Sequence, residues 1–435
     1  MSKVYKTLAA IDIGTTKIVA IIGRKDENGK IEILGMGQAS SKGVKRGVIQ
    51  NIDDAVNSIS TAVEIAKEKS DIDFDEVYVG IAGQHIKSVR SGGQKYISSA
   101  DNVIKQEDVD ALVDDMYNIP VGAGEEVLHV IPQNYTVDGE SDAKPVGMFG
   151  RHLEGSFHIV IGQIDSANNL KKCVNRSGLK VVDLILEPLA SAHAVLSDEE
   201  KEVGVALVDI GGGTTDIAVY YDGIIRHTAV IPFGGNVITS DIKTGFSILE
   251  KHAEKLKIMH GSALADAAKE NDYVSVEGIN GRPPKEISLK SIAYVVQSRM
   301  AEIIGAVQFQ IDNSGFGEKL GAGIVLTGGG ALLNHLPQLV AYETGYDIRI
   351  GLPSKYLIGE YSEEINKTMY ATSIGLILQG YEFLEKKKKD SLFEIPDKKK
   401  KKKVKEIDNK TEKKVRFDGL LRKIGDFFDE KDNPL

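Results

Sequence analysis

The sequence predicts an α/β protein made of two related domains around a cleft, and three observations predict it. A strand–turn–strand string occurs twice, as LAAIDIGTTKIVAII at 8–22 and ALVDIGGGTTDIAVY at 206–220. Between and after the copies, strand-like and helix-like spacings alternate along the chain. The composition is that of a globular protein, 42% hydrophobic and 27% charged, and 435 residues suffice for two or more cores.

Each copy carries an apolar strand, then Asp-Ile-Gly, a hydroxyl pair and a second β-branched strand. This is the pattern of a hairpin whose turn is built from Gly and Thr. After the first copy, residues 51–69 show helical spacing through Ile52, Val56, Ile59, Val63 and Ile65. Residues 77–82 read as a short buried strand. Residues 84–163 read as an inserted module of polar turns and short strands such as 157–161. Residues 187–196 read as a helix started after Pro188. Beyond the second copy, 242–260 is predicted as one amphipathic helix, 261–285 as polar loop and 289–311 as a helix. Residues 323–333 read as a strand, a glycine turn and a helix start, and 369–383 as the last helix. Lysine runs at 386–389 and 398–403 then mark a solvated linker.

The net charge of −9 hides an asymmetry. Residues 385–435 carry eighteen Lys and Arg against twelve Asp and Glu, so the preceding 384 residues sum to −15. An acidic body argues against nucleic acid as a partner, because a phosphate backbone would be repelled. The single cysteine, Cys173, excludes an internal disulfide and fits a reducing compartment. No secretory signal and no membrane-spanning run are predicted.

A nucleotide triphosphate needs many donors close to its phosphates, and glycines let the backbone approach. Gly14, Thr15, Thr16 and Lys17 supply N–H groups, hydroxyls and a cation; Gly211, Gly212, Gly213, Thr214 and Thr215 supply a similar set. Asp12 and Asp209 end their strands beside the turns, where they can hold first-shell waters of Mg²⁺. Either turn alone is equally an ordinary hairpin, but two copies favour phosphate binding. Gly328, Gly329 and Gly330 follow a strand and offer close approach to a ring or phosphate, as any tight turn does. Glu254 and Lys257 share a helix face and suit either ribose contact or a solvated ion pair. Glu187 is a candidate to orient an attacking water, or simply a surface or capping residue. No Cys/His metal spacing and no Gly-x-Ser-x-Gly nucleophile motif occurs.

These segments resemble the actin, sugar-kinase and heat-shock-chaperone superfamily. DIGTTKIVA at 12–20 and VDIGGGTTDIAV at 208–219 are similar to its two phosphate loops. LEPLASAHAVL at 186–196 and ATSIGLILQG at 371–380 resemble its connecting helices, and GIVLTGGGALL at 323–333 its adenosine motif. SSKGVKRGVIQNID at 40–53, GIAGQHIKS at 80–88, the insert ending GSFHIVIGQ at 155–163 and the C-terminal stretch resemble its bacterial cell-division members. The resemblance implies an actin-like ATPase fold with an inserted subdomain and a C-terminal amphipathic helix. It divides the chain into 1–83 with 163–195 and 370–384, the insert 84–162, 196–245 with 315–369, 246–314, a linker 385–415 and a helix 416–430. It implies ATP and Mg²⁺ as cofactors, with Asp12 and Asp209 facing the metal, Glu254 and Lys257 on ribose and Gly328 to Gly330 on adenine. Slow ATP hydrolysis at most is expected. Implied partners are the C-terminal peptide of the tubulin-like FtsZ near 246–314, further copies of the chain in a filament, and other division proteins. The implied place is the cytoplasmic face of the membrane at the division site. Lys285, Lys290 and Arg299 are candidate peptide contacts.

The tail is legible without the family. At 100° per residue Phe417, Leu420, Leu421, Ile424, Phe427 and Phe428 fall within about 120° of one another, with Asp418, Arg422, Lys423, Asp426 and Asp429 outside. A charged linker separates the stripe from the body, which predicts binding to an anionic membrane over packing on the chain itself. A sugar kinase has no use for such a tail, and a chaperone needs a large peptide-binding domain that about fifty residues cannot form. A rod-shape filament protein lacks the insert and tail. A pilus-assembly relative shares the insert but is not expected to end in such a helix.

Overall fold

A computed structural model of the chain describes residues 6–393, apart from 143 and 360. The compact body reaches Tyr381. The repeat seen in the two strings extends to whole sheets. In the first half Leu8–Ile13 pairs antiparallel with Lys17–Lys25, and that strand with Ile31–Ser40. On its other side Leu8–Ile13 pairs parallel with Glu76–Ile81, and Glu76–Ile81 with Lys180–Leu186. The second half repeats this order as Ile224–Ile231, Thr215–Tyr221, Val205–Ile210, Ile324–Thr327 and Ile348–Ile350. In both hairpins the strand ending in the Asp-Ile pair is buried at every position, as expected for a central strand.

Helices cover the sheets for reasons visible in their ends and faces. Ile52–Ser70 starts at Asn51, whose side chain accepts from the N–H groups of Asp53 and Asp54 at 3.0 and 3.2 Å. Its buried stripe of Ala55, Ile59, Ala62, Val63 and Ala66 packs into the first core. The insert is a four-stranded antiparallel sheet, Lys87–Tyr96, His152–Gln163, Glu125–Val137 and Glu140–Asp142, backed by the helix Gln106–Tyr117. It has its own core around Leu112, Leu153, Phe157 and Ile159.

Several elements differ from the sequence expectation. The insert's strands are long rather than short: His152–Gln163 pairs on both sides, and register shifts at Ser156/Phe157 and Val160/Ile161 break its simple alternation. The expected helix at 242–260 is two helices, Gly235–Phe246 and Glu250–His260. Ser247 turns left-handed at φ 50° and ends the first, which continuous apolar spacing conceals. Residues 261–285 hold the strand Tyr273–Val276, which pairs with Lys285–Ser288. The glycines at 328–330 lead into a single 3₁₀ turn, Gly330–Leu332, and the α-helix begins only at Leu336. Pro188 lies inside the first turn of Glu187–Val195 rather than ahead of it, where its missing N–H costs nothing. The last helix, Ala371–Phe393, runs beyond residue 383. Among the described residues no helix is long and apolar enough to cross a membrane. The amphipathic stripe at 416–430 lies outside the described residues.

Candidate functional site

The two hairpin turns meet at the wall of a cavity of about 550 Å³, so close that a Cβ on Gly212 or Gly213 would overlap the side chains of Thr16 and Thr15. Its walls include Asp12, Gly14, Thr15, Thr16 and Lys17 from the first turn, and Asp209, Gly211, Gly212, Gly213 and Thr214 from the second. Glu187, Glu254, Lys257, Gly328, Gly329 and Gly330 complete the set singled out from the sequence. Thr215 is the exception. As the first residue of its strand it points into the core, fully buried, and its hydroxyl donates to the Phe233 carbonyl at 2.9 Å.

Four carboxylates gather here, and burial sets their electrostatics. Burial pushes Asp12 and Asp209 above the ordinary carboxylate range. The charge of Lys17 pulls both back, as do hydrogen bonds from Ser373 to Asp12 and from Ser191 and Thr372 to Asp209. Glu187 is raised well above its ordinary value by burial and then by Asp12, Asp216 and Asp209. It sits on the cavity wall rather than on the outer surface. Asp216 is pushed up to about 8 by burial and by Asp209. Burial likewise lowers Lys17, against the pull of Asp12 and Asp209, and its ammonium donates to the Met369 carbonyl at 2.7 Å.

The Glu254–Lys257 pair is not a solvated ion pair. Lys257 donates to Glu254 at 2.7 Å, to the Gly235 carbonyl at 3.0 Å and to the Thr239 hydroxyl at 2.9 Å, joining the two helices at the cavity wall. Gly328 lies at φ +83°, and a Cβ there would overlap an Asp209 carboxylate oxygen and the Ile210 carbonyl. Only glycine suits both demands.

Sequence reasoning does not single out Asp216, although the repeat holds the signal: it stands where Lys17 stands in the first copy. One of its oxygens, Oδ1, is buried without a hydrogen-bond partner, while Oδ2 accepts from Thr214 at 3.1 Å. Ser191, Thr372 and Ser373 escape it too, because a helix hydroxyl carries no local signal of a distant partner. Of the candidate peptide contacts, Arg299 is held by both oxygens of Asp241 at 2.6 and 3.1 Å, Lys285 donates to the Phe246 carbonyl and Lys290 pairs with Glu270.

Crowded acids that favour protons are a donor set for a cation, whose charge offsets their repulsion. Among the described residues no three His, Cys, Asp or Glu side chains converge closely enough to ligate a metal directly. The set therefore suits a cation that keeps its water shell.

Paired α/β domains around a cleft lined by two Gly-Thr turns define an actin-like, nucleotide-binding ATPase fold. A solved structure titled "PilM-PilN type IV pilus biogenesis complex" shares it, with a TM-score of 0.61 over 86% of this chain and 98% of that one at 14% identity. Two family models match, "Cell division protein FtsA" over residues 206–375 and "SHS2 domain inserted in FTSA" over 83–161. The chain is 38% identical over 378 residues to a cell division protein FtsA of Pseudomonas aeruginosa, covering 87% of this chain and 90% of that one. It is 37% identical over 379 residues to its counterpart in Neisseria meningitidis, covering 87% and 91%. The chain belongs to the FtsA family of cell-division proteins.

Proposed function

We propose that the chain is an ATP–Mg²⁺-binding adaptor that holds FtsZ filaments to the cytoplasmic face of the membrane at the division site. The observation that carries the nucleotide part is the meeting of two Gly-Thr turns at one cavity, whose wall also carries Asp12, Asp209, Asp216, Glu187 and Glu254. In this reading Gly14 to Lys17 and Gly211 to Thr214 cradle phosphates, Glu254 and Lys257 meet the ribose, and Gly328 to Gly330 face adenine. Asp12 and Asp209, with Asp216 beside them, hold the water shell of Mg²⁺. That cation, when bound, supplies charge neutralisation to the phosphates. Glu187, on the same wall, would orient a water, and hydrolysis is expected to be slow at most.

The partner assignments rest on family membership and on surface chemistry. The 246–314 segment would take the FtsZ C-terminal peptide, with Tyr294 and Phe309, each more than half exposed, supplying apolar contact. Arg299, Lys285 and Lys290 are already engaged within the chain and would have to exchange partners. The 84–162 module would serve contacts between copies in a filament and with other division proteins. The stripe from Phe417 to Phe428 would anchor the chain to anionic lipid.

The test is co-sedimentation of FtsZ polymers with vesicles containing anionic lipid, in the presence of the full chain and ATP. FtsZ should appear with the vesicles only when both the chain and the FtsZ C-terminal peptide are present. Recruitment of FtsZ lacking that peptide would overturn the assignment.

A further inference from the structure

We propose that Thr372 and Ser373, on the first turn of the last helix, and Ser191, on the connecting helix, are positioning residues. They aim Asp209 and Asp12 at the water shell of the bound divalent cation, an inference that rests on the ATP–Mg²⁺ reading above. Ser373 donates to Asp12 Oδ2 at 2.9 Å, and Ser191 donates to Asp209 Oδ2 at 2.7 Å. Thr372 reaches the same Asp209 oxygen at 3.2 Å and the Ser191 hydroxyl at 2.9 Å. Each carboxylate thus has its Oδ2 tied from the helices. Its Oδ1 lies on the side of the glycines that wall the cavity, near Gly328 for Asp209 and near Gly14 for Asp12.

Simple satisfaction of buried hydroxyls does not account for this. A helical Ser or Thr ordinarily donates to the carbonyl one turn back, which satisfies it at no cost in sequence. Here hydroxyls from two different helices converge on one carboxylate oxygen. Each hydroxyl has a single proton to give; Ser373 gives its proton to Asp12, Ser191 gives its proton to Asp209, and Thr372 shares its proton between Asp209 and the Ser191 hydroxyl. A neutral donor also fixes a carboxylate without cancelling its charge, as a second lysine would. The convergence depends on a close helix crossing. A Cβ on Gly375 would overlap the Ala190 carbonyl, so the two helices meet backbone to backbone beside the hydroxyls.

The experiment uses the full chain and a fluorescent ATP analogue, with affinity measured in EDTA and across a Mg²⁺ titration. Ser373→Ala and Thr372→Val should each raise the Mg²⁺ concentration at half-effect by about tenfold, the scale of one lost hydrogen bond to a charged group. Affinity in EDTA should stay within about twofold of the parent, and Thr372→Ser should restore the parent titration. If Ser373→Ala does not fold, Ser373→Cys keeps the volume with a weak donor and carries the same expectation. Equal losses with and without Mg²⁺ would make the hydroxyls packing groups and overturn the proposal. Unchanged Mg²⁺ titrations in both variants would do the same while leaving the nucleotide reading intact. A parent chain whose binding ignores Mg²⁺ would remove both.

Discussion

Burying Asp12, Asp209, Asp216 and Glu187 around one cavity makes each of them costly to ionise, and each charge raises the cost for its neighbours. Lys17 and the helix hydroxyls offset part of that cost at Asp12 and Asp209. At Asp209 burial opposes the charge, while Ser191, Thr372 and Lys17 support it. Asp209→Ala deletes a carboxylate that on the proposed reading faces the cation, and takes from Ser191 and Thr372 the carboxylate oxygen they share. Mg²⁺-dependent binding of a fluorescent ATP analogue should weaken by tenfold or more, about 1.4 kcal/mol. Binding unchanged in that variant would sink the two-turn site.

At the scale of elements, the same substitution should act in opposite directions at two helical glycines. Gly375 lies where the last helix crosses Glu187–Val195, and a methyl group there meets the Ala190 backbone. Gly375→Ala should cost about 1–3 kcal/mol, as overpacking does, and lower ATP affinity by moving the hydroxyls away from their carboxylates. Gly305, exposed in the long helix Leu289–Ser314, has open space where a methyl group would sit, with nothing within 4 Å. Gly305→Ala should stabilise the chain by roughly 0.5–1 kcal/mol. Thermal melting of both variants distinguishes packing from propensity.

The joint between the insert and the second half should respond to acid. His158, on the insert, is buried and bonds to the Thr228 hydroxyl at 2.9 Å. Burial, then the neighbouring His227 and Arg90, push it down to about 4. Below pH 6.5 the unfolded chain takes a proton at this position that the folded chain refuses, so stability falls as pH falls from 6.5 towards 4. Between pH 7 and 5 this group should cost about 2 kcal/mol. Urea unfolding at both pH values should show a smaller loss in His158→Gln, and an equal loss would remove His158 as the cause.

At the scale of the whole molecule, charge is divided between a body at −15 and a C-terminal stretch at +6. A negative body is repelled by anionic lipid, so the proposed attachment assigns binding to the apolar stripe of 417–428 and the lysines before it. An isolated helix of fifteen or so residues is marginal in water, so on this proposal lipid would supply the missing burial. Leu421→Glu places a charge in the middle of the stripe and forfeits roughly 2 kcal/mol of burial. Lys423→Ala, on the polar face, should cost far less and only at low salt. Vesicle co-sedimentation of the full chain and both variants decides this: if Leu421→Glu sediments like the parent, the tail is not the anchor.

The sequence by itself determined the duplicated hairpins, the order of the segments and the residues of both Gly-Thr turns, because these depend on spacing within a few residues. It also carried the acidic body and the basic tail. Tertiary structure alone decided that Thr215 turns into the core while Thr214 reaches the cavity, and that the helix expected over 242–260 breaks at Ser247. It alone brought Asp216 and Glu187 into the same acidic cluster as Asp12 and Asp209. The reason is physical. A pKa or a hydrogen bond depends on what is packed alongside, and the hydroxyls that tie Asp12 and Asp209 come from other elements of the chain. Ser373 and Asp12 are 361 positions apart, and only the packing of the last helix beside the strand Leu8–Ile13 puts the hydroxyl on the carboxylate.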